Sequence, residues 1–226
     1  MSKQLTSVEI PNTVTSMGVS AFRGNYLTEV TIPSSVSTIS NQLFYNNLIE
    51  NITIPASVTT IGIQAFSNNQ LTSVTIPNTV RYVSNYAFQY NHIQTVNFES
   101  GTTSLTELNT GVFSNNDITN IVIPEGIQRL GGLSDTSSYG VFASNSIETI
   151  SLPSTLQIIG AYAFYNNALT GTTVVPASVY RICDSAYDSN ANLSTIVVKR
   201  TDDTGMTLGT SWNGSANVIW NPNYGE

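Results

Sequence analysis

The hydrophobic positions of this chain recur with a period of about 22 residues, longer than any helix or strand repeat. The repeating unit is LxxVxIPxxVxxIGxxAFxxNx. Units begin at Leu5, Leu27, Ile49, Leu71, Ile93, Ile118, Ile147 and Leu169, and a half-unit begins at Leu193. Such a period is typical of a solenoid, in which each unit buries its apolar face only against its neighbours. The sequence therefore predicts about eight and a half stacked coils.

The first half of each unit predicts a short β-strand. Its apolar positions alternate, as at Leu71, Val74 and Ile76, and Val and Ile dominate them, which is the pattern of a strand with one buried face. Equivalent strands one coil apart are expected to stack as a parallel sheet. The proline that ends most of these segments, such as Pro77, cannot donate to the ladder and suits the strand exit.

The second half of each unit predicts a tight turn around an aromatic column. The column comprises Phe22, Phe44, Phe66, Phe88, Phe113, Phe142 and Phe164, with Tyr187 in the eighth unit. An asparagine follows each of these residues three positions later: Asn25, Asn47, Asn69, Asn91, Asn116, Asn145, Asn167 and Asn190. A tight coil leaves backbone N–H and C=O groups to satisfy, and an amide can both donate and accept. We expect the asparagines to stack as a structural ladder; a sugar-binding row is disfavoured because the row follows the buried phenylalanines in register.

The unit resembles the BspA-like (Treponema pallidum type) leucine-rich repeats of bacterial surface proteins, over residues 5–198. It departs from the common leucine-rich consensus, which places an asparagine just after the strand, and from many family members, which carry Cys where these asparagines stand. The resemblance implies an α/β repeat fold: a right-handed, curved solenoid with a parallel sheet on the concave face and short turns and helical turns on the convex side. It also implies an extracellular or cell-surface location and an adhesion or binding role.

The repeats predict a leucine-rich repeat solenoid domain over residues 1–199. Residues 200–226 contain Trp212, Trp220 and a strand-like ANVIW segment, so they are interpreted as a C-terminal cap or the start of a linker to a further domain. The chain enters its first unit at Leu5 without a capping segment or a signal peptide. Because repeat arrays need polar caps, we interpret the chain as an excerpt from a longer protein.

Charge narrows the classes of partner. Only 9% of the residues are charged, and the formal net charge is −7 at pH 7, which disfavours nucleic acid and a polybasic membrane contact. No apolar run approaches the roughly 20 residues of a membrane span, so no membrane insertion is expected. A monomer is favoured.

Residues with catalytic or metal-binding chemistry are few. His92 is the only histidine and falls at a variable turn position, while Cys183 is the only cysteine and takes the small-residue position of Gly62 and Gly160. Without a second histidine or cysteine, a metal or nucleophilic site is not expected. The acidic pair at 202–203 is expected to be solvated, with a weak calcium contact as the alternative. We therefore predict no enzyme activity and no cofactor.

The residues that do not repeat are the candidates for recognition. The outward strand positions are Glu9, Thr31, Thr53, Thr75, Asn97, Val122, Ser151, Val174 and Val197, polar at first and apolar later. Insertions at 99–104 and 131–140 break the period, and an insertion in a solenoid must bulge outward. The candidate partner-binding residues are Thr31, Thr53, Thr75, Asn97 and Ser151 on the strands and Asp135 and Tyr139 in the second insertion. Alternatively, valine simply favours strands and the insertions are plain surface loops.

These observations favour a non-enzymatic recognition or adhesion module that binds a host or bacterial surface protein through the concave sheet and its rim loops. One alternative is a structural spacer in a larger surface protein. Another is a carbohydrate-binding module, which would expose tyrosines or tryptophans in a row, whereas Tyr45, Tyr90 and Tyr165 do not share one repeat position.

Overall fold

The computed structural model describes residues 4–101, 104–132 and 139–225. They form a parallel β-solenoid of about eight turns, which confirms the solenoid predicted from the period. The strands are β1 Thr38–Ile39, β2 Thr60–Ile61, β3 Ser73–Ile76, β4 Tyr82–Val83, β5 Thr95–Phe98, β6 Glu107–Leu108, β7 Asn120–Val122, β8 Arg129–Leu130, β9 Thr149–Ser151, β10 Ile158–Ile159, β11 Thr170–Val175, β12 Arg181–Ile182, β13 Asn192–Val198, β14 Thr207–Leu208 and β15 Asn217–Trp220.

The longest sheet lies in the second half of the units, where the repeat pattern had not indicated a strand. Its eight parallel strands follow the order β1-β2-β4-β6-β8-β10-β12-β14. Each strand has two residues, and the second is usually a fully buried aliphatic such as Ile39, Ile61 or Val83. Two residues are too few to display an alternating pattern, so this sheet was not predicted.

The first-half strands form three separate parallel sheets instead of the single sheet that was expected. They are β3-β5, β7-β9 and β11-β13-β15, and equivalent repeat positions pair in register, as Val74 does with Val96. The corresponding segments of the first three units belong to no strand, although their inward side chains Leu27, Val30 and Ile32 are buried.

A one-residue insertion marks the break between β9 and β11. Pro176 follows Leu169 by seven positions, whereas Pro153 follows Ile147 by six. Gly171 adopts φ 62°, and directly after it the pairing of β11 with β13 shifts register, which leaves Ser194 of β13 without a partner in the ladder. Glycine adopts this conformation without steric cost.

The resemblance implied helical turns, and this prediction is wrong for the described residues, which contain no helix. Among these residues there is therefore also no helix long and apolar enough to cross a membrane. The AF turn instead has a residue of positive φ on each side of the phenylalanine in most units. In the third unit these are Gln64 at 54° and Asn68 at 60°. A helix needs consecutive right-handed dihedrals, so this alternation prevents one from forming.

The core consists of the aliphatic strand residues and one continuous stack of aromatic rings. Adjacent rings from Phe22 to Tyr187 have centroids 5.3 to 5.7 Å apart and interplanar angles of 6 to 19°. Phe44 through Phe164 are fully buried. One ring per coil therefore fills the space between the two sets of strands along the whole solenoid.

The tail after residue 199 continues the coil pattern. The strand β14 extends the eight-stranded sheet, and β15 extends the sheet of β11 and β13. The Trp212 carbonyl accepts a hydrogen bond from the Tyr187 N–H at 2.9 Å, and the indole is 7% exposed. The tail thus packs on the eighth coil; its assignment as a separate cap or linker stays a prediction.

Candidate functional site

Most of the repeated asparagines form hydrogen bonds with backbone groups of their own coil and of the preceding coil. The Asn69 Nδ2 group donates to the Phe44 and Phe66 carbonyls at 2.9 and 3.1 Å, and its Oδ1 accepts from the Ile49 N–H at 3.1 Å. The same three bonds recur at Asn47, Asn91, Asn116, Asn145, Asn167 and Asn190. Asn25 binds Phe22 and Leu5. These bonds run from amide to backbone rather than from amide to amide, and the side chains' polar atoms are engaged within the fold.

The predicted strand candidates lie on one exposed surface, which we call the strand face. The strand face comprises the side chains of Thr31, Thr53, Thr75, Asn97 and Ser151, all exposed. Thr75 and Asn97 lie directly opposite each other in the β3-β5 pair. Their inward neighbours, such as Val74, are buried. Parallel pairing therefore holds Thr75 and Asn97 side by side.

A polar cavity of about 630 Å³ lies at the N-terminal end of the strand face. Thr31 and Thr53 line it together with Glu29, Asn51 and Ser73. The rest of its lining is largely apolar: Val8, Val30, Ile32, Ile52 and Pro55, with Ser7. This cavity combines a carboxylate with hydroxyl and amide groups.

A second cavity, of about 560 Å³, lies at the C-terminal end, between the unpaired strands β9 and β11. Ser151 and Val174 line it, and Lys199 provides an ammonium group. The remaining lining is largely apolar: Ile150, Leu152, Pro176 and Ala177, with Ser154, Thr172 and Ser178.

The outward row ends before the last predicted position. Val122 is 69% exposed, but Val197 is only 1% exposed, so the side chain at this last position is not accessible to a partner. Its strand β13 lies between β11 and β15, with Val197 opposite Val174 and Ile219. Val174 itself is half-buried.

The two insertion candidates have different outcomes. Asp135 lies outside the described residues. Tyr139 is 40% exposed, and its ring packs edge-on against the Tyr86 ring with centroids 6.1 Å apart. A hydrogen bond with the Tyr139 side chain is the main cause that raises the pKa of Tyr90, followed by burial. Tyr139 therefore belongs to a cluster with Tyr86 and Tyr90 on the AF turns.

The repeat pattern did not single out Tyr86 and Tyr90, because they stand at different repeat positions. Tyr86 occupies the position of Gln42 and Gln64, and Tyr90 that of Asn68. Their departure from the residues of the neighbouring units is the signal that could have identified them. Lys199 was missed because it follows the last repeated strand.

The other residues considered for catalysis or metal binding lie in local surface contacts or in the core. His92 Nδ1 lies 3.1 Å from Asp117 Oδ2 on the surface. Asp202 accepts a hydrogen bond from the Thr204 N–H, and hydrogen bonds from Thr204 lower the pKa of its carboxyl. Cys183 is buried. Within residues 4–101, 104–132 and 139–225, no group of three or more His, Cys, Asp or Glu side chains is placed to hold a metal.

The fold and the repeated residues agree with comparisons to known proteins. The model of the BspA type leucine rich repeat region matches residues 1–107 and 106–205. The chain belongs to this family. No curated protein sequence matches the chain significantly, and neither the family match nor the structural matches indicate an enzymatic family.

Solved structures of bacterial leucine-rich repeat proteins share the fold of this BspA-type repeat chain. A leucine-rich repeat protein from Bacteroides ovatus is 17% identical with a TM-score of 0.62, over 95% of this chain and 62% of that one. The pneumococcal vaccine antigen PcpA is 16% identical with a TM-score of 0.56, over 87% of this chain and 52% of its own. The chain thus spans less than two thirds of either protein.

Proposed function

We propose that this repeat chain is a non-enzymatic recognition module of a bacterial surface protein, and that it binds a protein partner through the strand face. The observation that carries the proposal is the row of exposed side chains that runs between two cavities, one polar and one largely apolar. Thr53 lies in the polar cavity and Ser151 in the apolar one. The buried repeat residues fix the frame, so the strand face is free to vary with the partner.

The two ends of the strand face carry opposite charges. Glu29 lines the N-terminal cavity and Lys199 the C-terminal one. In a chain of net charge −7, Lys199 offers a local cation beside apolar surface. An extended partner segment with a cationic or hydroxyl-rich end and an apolar, carboxylate-bearing end matches both cavities, because complementary charges set orientation and exclude wrong partners.

Family membership supports a surface location and a binding role. The resemblance implies an adhesion or binding role, and PcpA is described as a pneumococcal vaccine antigen. A solenoid presents a long rigid face at low cost in conformational entropy, since its strands are ordered before binding.

Photo-crosslinking tests this function directly. A photoreactive amino acid is placed at Thr53 or at Thr75, and the protein is irradiated with surface extracts of host or bacterial cells. The matched control places the same group at Tyr82, which is 60% exposed on β4 of the other sheet. We expect one protein to be captured from Thr53 and Thr75 and not from Tyr82.

The spacer alternative gives a different result. A structural spacer has no partner for its strand face, so crosslinked products would be absent or identical at all three positions. That outcome would contradict the proposed function.

A further inference from the structure

The backbone at Tyr86 and Tyr90 is unusual for an aromatic residue. Their φ angles are 62° and 54°, in the left-handed region that disfavours bulky side chains. At the first position other units carry Ser20, Gln42, Gln64, Gly111 and Ser185, and one further tyrosine, Tyr162, also at positive φ. At the second position they carry smaller polar residues: Asn46, Asn68, Asn115, Ser144, Asn166 and Ser189. Tyrosine at these points is less stable than asparagine would be, and such outliers concentrate at functional sites.

Neighbouring residues hold the Tyr86 ring in place. The Tyr86 ring occupies the space beside Gly111, where an added Cβ would lie 2.3 Å from the ring. The Tyr139 ring packs edge-on against Tyr86. Tyr90 and Tyr139 remain 46% and 40% exposed. The cluster therefore presents two exposed rings on a rigid base.

Amide groups continue the surface along the preceding coils. Asn46, Asn68 and Tyr90 occupy the same turn position in consecutive coils, and the Asn68 Nδ2 group donates to Asn46 Oδ1. The Asn69 N–H donates to the Tyr90 carbonyl at 3.2 Å, which fixes the spacing of these coils. Tyr45 is half-buried in the same region, with the Arg23 guanidinium 4.9 Å from its ring centroid.

This arrangement matches the chemistry of a neutral sugar. A pyranose ring has one face of C–H groups, which packs on an aromatic ring, and a rim of hydroxyls that donate and accept hydrogen bonds. Tyrosine offers both an apolar face and a polar tip, and an asparagine amide can donate and accept at once. A metal-dependent sugar site is a poorer match, because no cluster of ligating side chains occurs among the described residues.

We propose that Tyr90 and Tyr139, supported by Tyr86 and flanked by Asn46 and Asn68, form a binding site for neutral glycans. The site is separate from the strand face and needs no protein partner. It would give the module a second contact, to a polysaccharide or to the glycan of a glycoprotein.

In the test, the intact chain is titrated with short soluble oligomers of glucose, mannose and N-acetylglucosamine. Binding is monitored by NMR of isotope-labelled tyrosines. The principal variant is Tyr90→Asn, which installs the residue of the neighbouring coils. We expect its melting temperature to be unchanged or higher, because asparagine tolerates positive φ. We expect its affinity to fall at least about tenfold, as for an aromatic contact residue. Tyr139→Ser, outside the repeat positions, should show the same fall in affinity.

Two control variants show whether a loss of binding is specific to the tyrosine cluster. Tyr82→Thr removes an exposed tyrosine outside the cluster and introduces threonine, the residue type that β2 carries at the paired position Thr60. This variant should bind the oligosaccharides normally. Thr53→Arg, on the strand face, should also bind the oligosaccharides normally. No saturable binding by any oligosaccharide would overturn the proposal. So would full affinity in Tyr90→Asn, or an equal loss in Tyr82→Thr. Loss of a protein ligand in Tyr90→Asn without any oligosaccharide binding would assign the cluster to a protein instead.

Discussion

At the scale of single residues, neighbouring asparagines in one turn have distinct roles. Asn69 is 3% exposed and bridges two coils, whereas Asn68 is exposed and adopts φ 60°. The repeat alone separated the two positions, because one recurs in every unit. It could not show that Asn68 also has a conformational role, since a positive φ leaves no mark in a hydrophobic pattern.

Truncation of Asn69 tests the bridging amides. Asn69→Ala leaves the Ile49 N–H and two phenylalanine carbonyls without this partner, which should lower the free energy of unfolding by about 1–3 kcal/mol. Asn68→Ala is an unsuitable control, because alanine at positive φ is itself costly. The exposed Asn51 is the better comparison, and Asn51→Ala should cost under about 0.5 kcal/mol. Equal urea-unfolding midpoints for the two variants would contradict the bridging role.

The end of the aromatic column carries a hydroxyl that the fold does not use. The Tyr187 hydroxyl is buried without a hydrogen-bond partner among the described residues, and burial raises the pKa of the phenol above its ordinary value. Tyr187→Phe should therefore leave the free energy of unfolding at pH 7 unchanged or raise it by about 1 kcal/mol. A loss of more than that amount in urea unfolding would show that the hydroxyl has a partner.

The same substitution gives a prediction for alkaline pH. A raised folded-state pKa contributes stability that is present below the ordinary tyrosine value of about 10 and is lost above it. The wild-type chain should lose about 1.4 kcal/mol per pH unit above 10 from this one group. Tyr187→Phe should lack that loss, so the stability difference between the two proteins should widen between pH 9 and 11, a range chosen about the ordinary value. A constant difference would contradict the assignment.

At the scale of elements, close approach between coils requires small residues. An added Cβ at Gly160 would lie 2.5 Å from the Leu130 carbonyl oxygen, whereas one at Gly18, the equivalent position of the first unit, meets nothing within 4 Å. Gly160→Ala should lower the free energy of unfolding by about 1–3 kcal/mol through overpacking. Gly18→Ala should be neutral or slightly stabilising. Comparable thermal unfolding of the two variants would contradict the tight packing.

The elements also show how far the repeat pattern reaches. Val74 and Ile76 indicate a strand because apolar and polar residues alternate there. The parallel pairing of β3 with β5 follows from the period of the repeat. Thr60–Ile61 is equally regular in space but too short to alternate. The extra residue between Leu169 and Pro176 could have been found by counting residues to the proline. The tyrosine cluster depends on which turn residues meet across coils, and that spatial relation is not periodic.

At the scale of the whole molecule, the tail covers the last coil of the repeat array. Removing residues after Arg200 would delete β14 and β15 and expose the edges of β12 and β13 together with the apolar surface under Trp212. Exposed parallel edges are templates for association, so we expect the truncated chain to dimerise or aggregate in size-exclusion chromatography with light scattering. A soluble monomer of similar stability would identify the tail as a linker.

Affinity for the crosslinked partner tests the central claim, that the strand face is the recognition surface. Thr53→Arg and Thr75→Arg each place a bulky cation on that face while leaving the buried frame intact. Tyr82→Arg places the same group on the other sheet. The account predicts melting temperatures close to wild type in all three variants, and at least about tenfold weaker binding in the two threonine variants alone. Wild-type affinity in folded Thr53→Arg and Thr75→Arg, or an equal loss in Tyr82→Arg, would contradict it.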